Sequence, residues 1–149
     1  MNSKPIEILL VEDNPGDARL TLEAFREGRV LNNLTVINDG AEALLYLRRQ
    51  GRHSAAGRPD MVLLDLNLPK KDGREVLAEI KADELLRSIP VIVLTTSTAD
   101  EDVARAYGSH ANCFITKPVE LENFLRVVHS IERFWLSLVK FPPSERQCQ

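Results

Sequence analysis

The apolar residues of this chain switch period repeatedly, from short continuous runs to stripes spaced three and four apart. Ile6–Val11 is the first continuous run and predicts a strand. Asn14-Pro15-Gly16-Asp17 follows, with Asn14 as a cap, Pro15 suited to the first helical position and Asp17 complementing the positive helix end. That helix runs to about Glu27, with Leu20, Ala24 and Phe25 facing inward. Leu34–Ile37 predicts a second strand, closed by Asn38-Asp39-Gly40. Ala41–Arg49 predicts a second helix whose apolar stripe is Ala43, Leu44 and Leu47. Residues 51–60, with Gly51, Gly57 and Pro59, read as a surface loop. Met61–Leu66 is almost wholly apolar, as expected of a central strand covered on both faces. A loop through Pro69 and Gly73 leads into a helix near Arg74–Leu86, and Pro90 precedes a fourth strand at Val91–Thr95. Asp100–Tyr107 predicts a helix ending near Gly108, Asn112–Thr116 a fifth strand, and a last helix starts after Pro118.

Strands alternating with helices through short connections imply right-handed crossovers, and hence a parallel α/β sheet with helices on both faces. At 149 residues the chain is about one domain with room for a proper core. Its 44% apolar and 28% charged content excludes a disordered or fibrous class. The net charge of −3 is spread along the chain with no basic stripe, so nucleic-acid binding lacks its electrostatic footprint. No apolar run approaches the roughly 20 residues that span a bilayer, and no leader of signal-peptide length precedes the first strand, so no membrane is expected. Cys113 in a predicted strand and Cys148 near the end do not suit a disulfide, which points to a reduced, cytoplasmic protein.

The chemistry gathers at strand ends. Glu12 and Asp13 close the first strand, Asp65 follows Met61-Val62-Leu63-Leu64, and Lys117 follows Cys113-Phe114-Ile115-Thr116. In open parallel sheets ligands bind beyond the carboxyl ends of the strands, so these groups should share one rim. Crowded carboxylates repel unless a cation sits between them, and Mg²⁺ suits an all-oxygen cluster with waters and phosphate oxygens. The cluster therefore points to phosphoryl chemistry. Asp65, held rigidly between Leu64 and Leu66, is the candidate nucleophile, able to form an acyl phosphate. A lone strand-end aspartate is more often a cap or a salt-bridge partner; the clustering with Glu12, Asp13 and Lys117 favours the functional role. Asp13 and Asp65 are candidate direct metal ligands, with a backbone carbonyl nearby and Glu12 acting through water. Lys117 would pair with the carboxylate at rest and with a phosphoryl oxygen after transfer. Pro118 permits a cis bond that would fix the direction of the lysine. Thr95 could hydrogen-bond the phosphoryl group, although β-propensity alone also explains a strand threonine.

The set Glu12-Asp13, Leu64-Asp65-Leu66-Asn67-Leu68-Pro69, Asp72-Gly73, Leu94-Thr95 and Lys117-Pro118 resembles the receiver domain of two-component response regulators, over about residues 6–135. The resemblance implies a flavodoxin-like, doubly wound, five-stranded parallel sheet in the order 2-1-3-4-5, with Asp65 as phosphoacceptor. It implies Mg²⁺ on Asp13, Asp65 and the backbone carbonyl of Asn67, with Thr95 and Lys117 contacting the phosphoryl group. Phe114 stands where receivers carry a switch aromatic, and as sequence alone it is simply a strand residue. The partner implied is a sensor histidine kinase. Inward movement of Thr95 would vacate space for Phe114 and alter the surface of the fourth helix, fifth strand and fifth helix. Asn67 and Ser97 occupy positions that tune dephosphorylation in the family, and Thr96 is bulkier than the residue often found there. The opening Val11–Leu20 and the long tail further resemble the single-domain response regulators paired with bacterial phytochromes.

Leu121, Phe124, Val128, Ile131, Trp135 and Leu138 recur at three- and four-residue steps, with Val127, Phe134 and Phe141 as a flanking stripe. Residues 1–135 are expected to form the receiver and 136–149 an extension of the last helix plus a tail beyond Pro142-Pro143. The apolar residues past Trp135 suggest a homodimer through Phe134, Trp135, Leu138 and Phe141, the alternative being a tail folded back on its own domain. His53, His110 and His129 lack metal-ligand spacing and are expected at the surface.

Two other function classes fit the same fold. A haloacid-dehalogenase-like phosphatase needs a second acid two residues after the nucleophile, and that position is Asn67, which cannot serve. A phosphorylation-independent binding module or flavin carrier sits poorly with intact Asp13, Asp65, Thr95 and Lys117 and 5% aromatic content. The expected protein is a signalling phosphoacceptor rather than an enzyme.

Overall fold

The computed structural model describes residues 5–26, 32–95 and 113–116. In chain order these form β1 (Ile6–Val11), α1 (Pro15–Arg26), β2 (Asn32–Ile37), α2 (Gly40–Arg48), a 3-10 turn (Gly51–His53), β3 (Met61–Asp65), α3 (Gly73–Ala82), β4 (Val91–Thr95) and β5 (Cys113–Thr116). The strands make one sheet in the order β2-β1-β3-β4-β5, and every pairing is parallel.

Period-two alternation splits the strands cleanly. Leu9, Val11, Val62, Leu64, Val91 and Val93 face one side and pack with Ala43, Leu44 and Leu47 of α2 and Val76, Leu77 and Ile80 of α3. Ile8, Leu10, Met61, Leu63, Ile92 and Leu94 face the other side and pack with Ala18 and Phe25 of α1. The four β3 residues Met61 to Leu64 are at most 2% exposed, which is why that run carries no polar residue until Asp65. Each fully buried leucine or valine contributes about 1.5–3 kcal/mol by leaving water.

Helix starts follow local chemistry. Asn14 caps α1, its Oδ1 accepting from the Asp17 N–H at 3.0 Å. Asp39 caps α2, accepting from the Glu42 N–H at 2.7 Å. Asp72 and Glu75 form a capping box on α3. On α1 the expected Phe25 is buried and Leu20 only half-buried, the Ala24 side chain lies outside the described residues, and Ala18 and Thr21 are buried as well. Thr21 tolerates burial because its hydroxyl donates to the Asp17 carbonyl at 3.1 Å.

Two expectations change. The third helix ends at Ala82 rather than near Leu86, because Asp83 turns extended (φ −94°, ψ 121°) and its carboxylate accepts the Leu85 N–H at 2.8 Å. Leu86 stays in the core through the turn that follows. His53 lies at the surface only in part: its side chain is 17% exposed, with Nε2 2.5 Å from Glu42 Oε2 and its ring edge-on to Tyr46. His110 and His129, the helices expected after β4 and β5, and the C-terminal extension lie outside the described residues.

Candidate metal centre at the carboxyl rim

Register brings the acids together. Val11 is level with Leu64, so the residues that follow, Glu12 and Asp65, leave adjacent strands at the same height. Glu12 shares the parity of Ile8 and Leu10, and Asp65 that of Met61 and Leu63, so both side chains fall on the α1 side of the sheet. Glu12 is 2% exposed and Asp65 3% exposed, whereas Asp13 is exposed at the mouth. One carboxylate oxygen from each of the three lies within 4.8 Å of the others. Among the described residues no other group of three or more His, Cys, Asp or Glu side chains converges in this way.

The backbone fixes two of these carboxylates. The Glu12 N–H donates to the Ile37 carbonyl at 3.0 Å, continuing the sheet one step beyond β1. Glu12 Oε2 accepts from the Asn14 N–H at 3.3 Å. Asp65 Oδ1 accepts from the Asn67 N–H at 3.1 Å, so the turn after β3 is tied to the carboxylate it follows. Asn67 itself is exposed.

Two like charges about this close repel by about 3 kcal/mol at an effective dielectric near 20, and a dication placed between carboxylates offsets that repulsion. An all-oxygen donor set with one exposed member is the environment Mg²⁺ or Mn²⁺ takes, because such ions keep several waters. The residues therefore fit a hard divalent cation.

The other predicted positions divide sharply. Thr95 ends β4 at the same rim and pairs with Thr116, but its side chain lies outside the described residues. Phe114 stands in β5 level with Val93, again with its side chain outside them. Lys117, with Thr96, Ser97 and the Lys117-Pro118 bond, and the proposed interface residues Phe134, Trp135, Leu138 and Phe141 fall outside the described residues altogether.

Two glycines pack tightly around the loop after β3 in a way the sequence does not announce, although Gly73 stands in the Asp72-Gly73 pair that carries the family resemblance. A Cβ on Gly73 would collide with the Asp65 carbonyl oxygen and come within 2.6 Å of Leu66 Cα. A Cβ on Gly40 would collide with the Lys71 carbonyl oxygen and come within 2.8 Å of Val76 Cγ2. The signal that could have found them is the repeated Asp-Gly pair, 39–40 and 72–73, each an N-cap followed by a buried glycine.

A parallel sheet with converging carboxylates at its carboxyl rim defines a metal-binding α/β domain. The comparisons narrow this to one family. Residues 8–129 match the response regulator receiver domain, and the chain belongs to that family. Response regulator Rcp1 of Synechocystis sp. is 46% identical over 141 residues, 95% of this chain and 96% of that protein. FilR2 of Methanothrix harundinacea, named for methanogenesis regulation, is 48% identical over 140 residues, 93% of this chain and 88% of that protein. The phosphorylated cyanobacterial phytochrome response regulator RcpA superposes with a TM-score of 0.82 at 50% identity, covering 93% of this chain and 99% of the other. The Mn²⁺-bound form of Rcp1 superposes at 0.80 with 47% identity over 93% and 99%. No helix among the described residues is long and apolar enough to cross a membrane.

Proposed function

We propose that this chain is a phosphoacceptor in a two-component relay, receiving a phosphoryl group on Asp65 from a histidine kinase of the phytochrome type. The observation that carries the reading is the convergence of Glu12, Asp13 and Asp65 within 4.8 Å, two of them buried. Asp13 and Asp65, with the Asn67 carbonyl, would hold Mg²⁺, and Glu12 would act through water. When bound, the ion neutralises oxygen charge that develops during transfer.

Asp65 supplies the nucleophile: one carboxylate oxygen forms a bond to phosphorus as the phosphorus–nitrogen bond of a phosphohistidine breaks, its electron pair returning to the imidazole. The Asn67 N–H holds the other carboxylate oxygen of Asp65 and so presents the attacking one in a fixed direction. Lys117 and Thr95 would contact the transferred group, and Thr95 with Phe114 would relay its arrival to the surface of the fourth helix, fifth strand and fifth helix. The receiver would span 1–135, and 136–149 would extend the last helix into a homodimer through Phe134, Trp135, Leu138 and Phe141. The working compartment would be the cytoplasm.

The likeness to the phytochrome response regulator RcpA supports the phytochrome-type partner, and the comparable identity to FilR2 sets the alternative against which it is tested. Incubation with acetyl phosphate and Mg²⁺ should give labile labelling that Asp65→Asn abolishes. Labelling that survives the substitution would overturn the assignment of Asp65, and steady release of phosphate from simple monoesters would indicate a phosphatase. Phosphotransfer profiling against phytochrome and non-phytochrome kinases then tests the partner.

A further inference from the structure

The segment that joins Asp65 to α3 is gripped by glycines from two different helices. Gly73, at the start of α3, lies against the Asp65 carbonyl and Leu66, and its N–H donates to the Leu66 carbonyl at 3.0 Å. Gly40, at the start of α2, lies against the Lys71 carbonyl with no room for a side chain. Between these grips Lys70 adopts φ 68°, a left-handed conformation that non-glycine residues rarely take. The Lys71 N–H turns back onto the Pro69 carbonyl at 2.7 Å, and the same carbonyl is 3.5 Å from the Gly40 nitrogen. Lys71 Nζ is also tied to Glu79 of α3 at 2.6 Å.

From this we infer that Gly40 is a positioning residue for the metal centre. Its contact with the 69–71 backbone sets the path of the loop and thereby the place of Asn67, whose N–H is bonded to Asp65. The inference rests on the proposed use of the Asn67 carbonyl as a ligand. The reason a second helix is needed is physical. A turn held only by α3 could pivot about Gly73, and a shift of a few tenths of an ångström at Asn67 would misplace both its carbonyl and the hydrogen bond to Asp65. Contact with the α2 start, itself fixed by the Asp39 cap, removes that freedom.

The test measures Mn²⁺ affinity by titration calorimetry and Tm in parallel, on the full chain. Gly40→Ala should weaken Mn²⁺ binding by at least about tenfold, the size of effect that supporting residues have on metal sites. Leu47→Ala removes buried volume at the opposite end of the same helix from Gly40; it should lower Tm while leaving the affinity unchanged. Lys70→Gly accommodates φ 68° without a side chain and should leave Tm nearly unchanged while weakening Mn²⁺ through a looser loop. If Gly40→Ala does not fold, Lys70→Gly tests the link the inference requires, from the path of the 69–71 backbone to the metal. Wild-type affinity in Lys70→Gly, or affinity losses that merely follow Tm across all variants, would overturn the inference. Failure of the unsubstituted chain to bind Mn²⁺ would instead count against the proposed function.

Discussion

At the carboxyl rim, Glu12 and Asp65 are 2% and 3% exposed and share their space with a third carboxylate. On the flank between α2 and α3, Glu79 has a side chain 34% exposed and sits between two cations, Lys71 at 2.6 Å and Arg48 at 3.0 Å. Arg48 also approaches Asp83 at 3.7 Å, and Glu42 is shared by Arg52 and His53. One region brings three carboxylates together, two of them buried; the other alternates signs where water is plentiful. Alternation at the surface ties helices together and asks for nothing further. Three carboxylates gathered at one rim, two of them buried, are suited to take up a dication, and that is why the proposed chemistry lies at the rim and not on the flank.

The comparison breaks most visibly at Asp65. Asp65→Asn should reduce acetyl phosphate labelling to background, whereas Glu79→Gln on the flank should label at the wild-type rate; radiolabel or intact-mass assays read both. Next in size is the response to metal. A ligand at a hundredfold excess over its Kd adds about 2.7 kcal/mol, or roughly 5–10 °C in Tm for a chain of this size. Mg²⁺ should produce that rise in the parent chain and in Glu79→Gln, and Asp13→Asn should remove most of it. A rise that survives Asp13→Asn would place the ion elsewhere. Without metal the order of the two regions inverts. Asp13→Asn should gain up to about 1 kcal/mol in urea unfolding by relieving repulsion, and Glu79→Gln should lose at most about 1 kcal/mol.

The rim was legible in the sequence because its logic is local to strand ends. An apolar run that stops at an acid, repeated at Val11-Glu12 and Leu64-Asp65, becomes a shared site once the strands are parallel neighbours. The fold was legible for a similar reason, since strict alternation between two periods admits few topologies. What was missed needed contacts between distant segments. Gly40 and Gly73 look like ordinary turn residues until the loop between Asp65 and α3 is folded against them. The end of α3 was misjudged because Leu86 keeps the apolar spacing of a helix, while Asp83 prefers to bond its own downstream backbone. The partner of His53 was not legible because nothing near it in sequence announces Glu42, eleven residues earlier.

The smallest effects lie on the flank and separate by pH. The hydrogen bond from Lys71, followed by that from Arg48, holds the Glu79 carboxyl below its ordinary 4.5. Arg52, then His53, does the same for Glu42. A depressed carboxyl contributes stability that is complete above the unfolded value and is lost as pH falls through the folded one, so both contributions should fade below pH 4.5. Lys71 is raised above 10.5, first by its hydrogen bond to Glu79, so its contribution is complete below 10.5 and lost as pH rises beyond that. Lys81 runs the other way. Burial lowers its pKa, with Nζ held by the Arg87 and Ile89 carbonyls at 3.0 and 2.9 Å. The unfolded chain then binds more protons than the folded one between that lowered value and 10.5, and stability should climb with pH across this window. Urea midpoints should therefore rise on approaching pH 10.5 and fall beyond it. Lys81→Met should abolish the rise, and Glu79→Gln should flatten the fall and part of the acid limb. A rise that persists in Lys81→Met would mean that another buried cation, not this one, sets the alkaline limb.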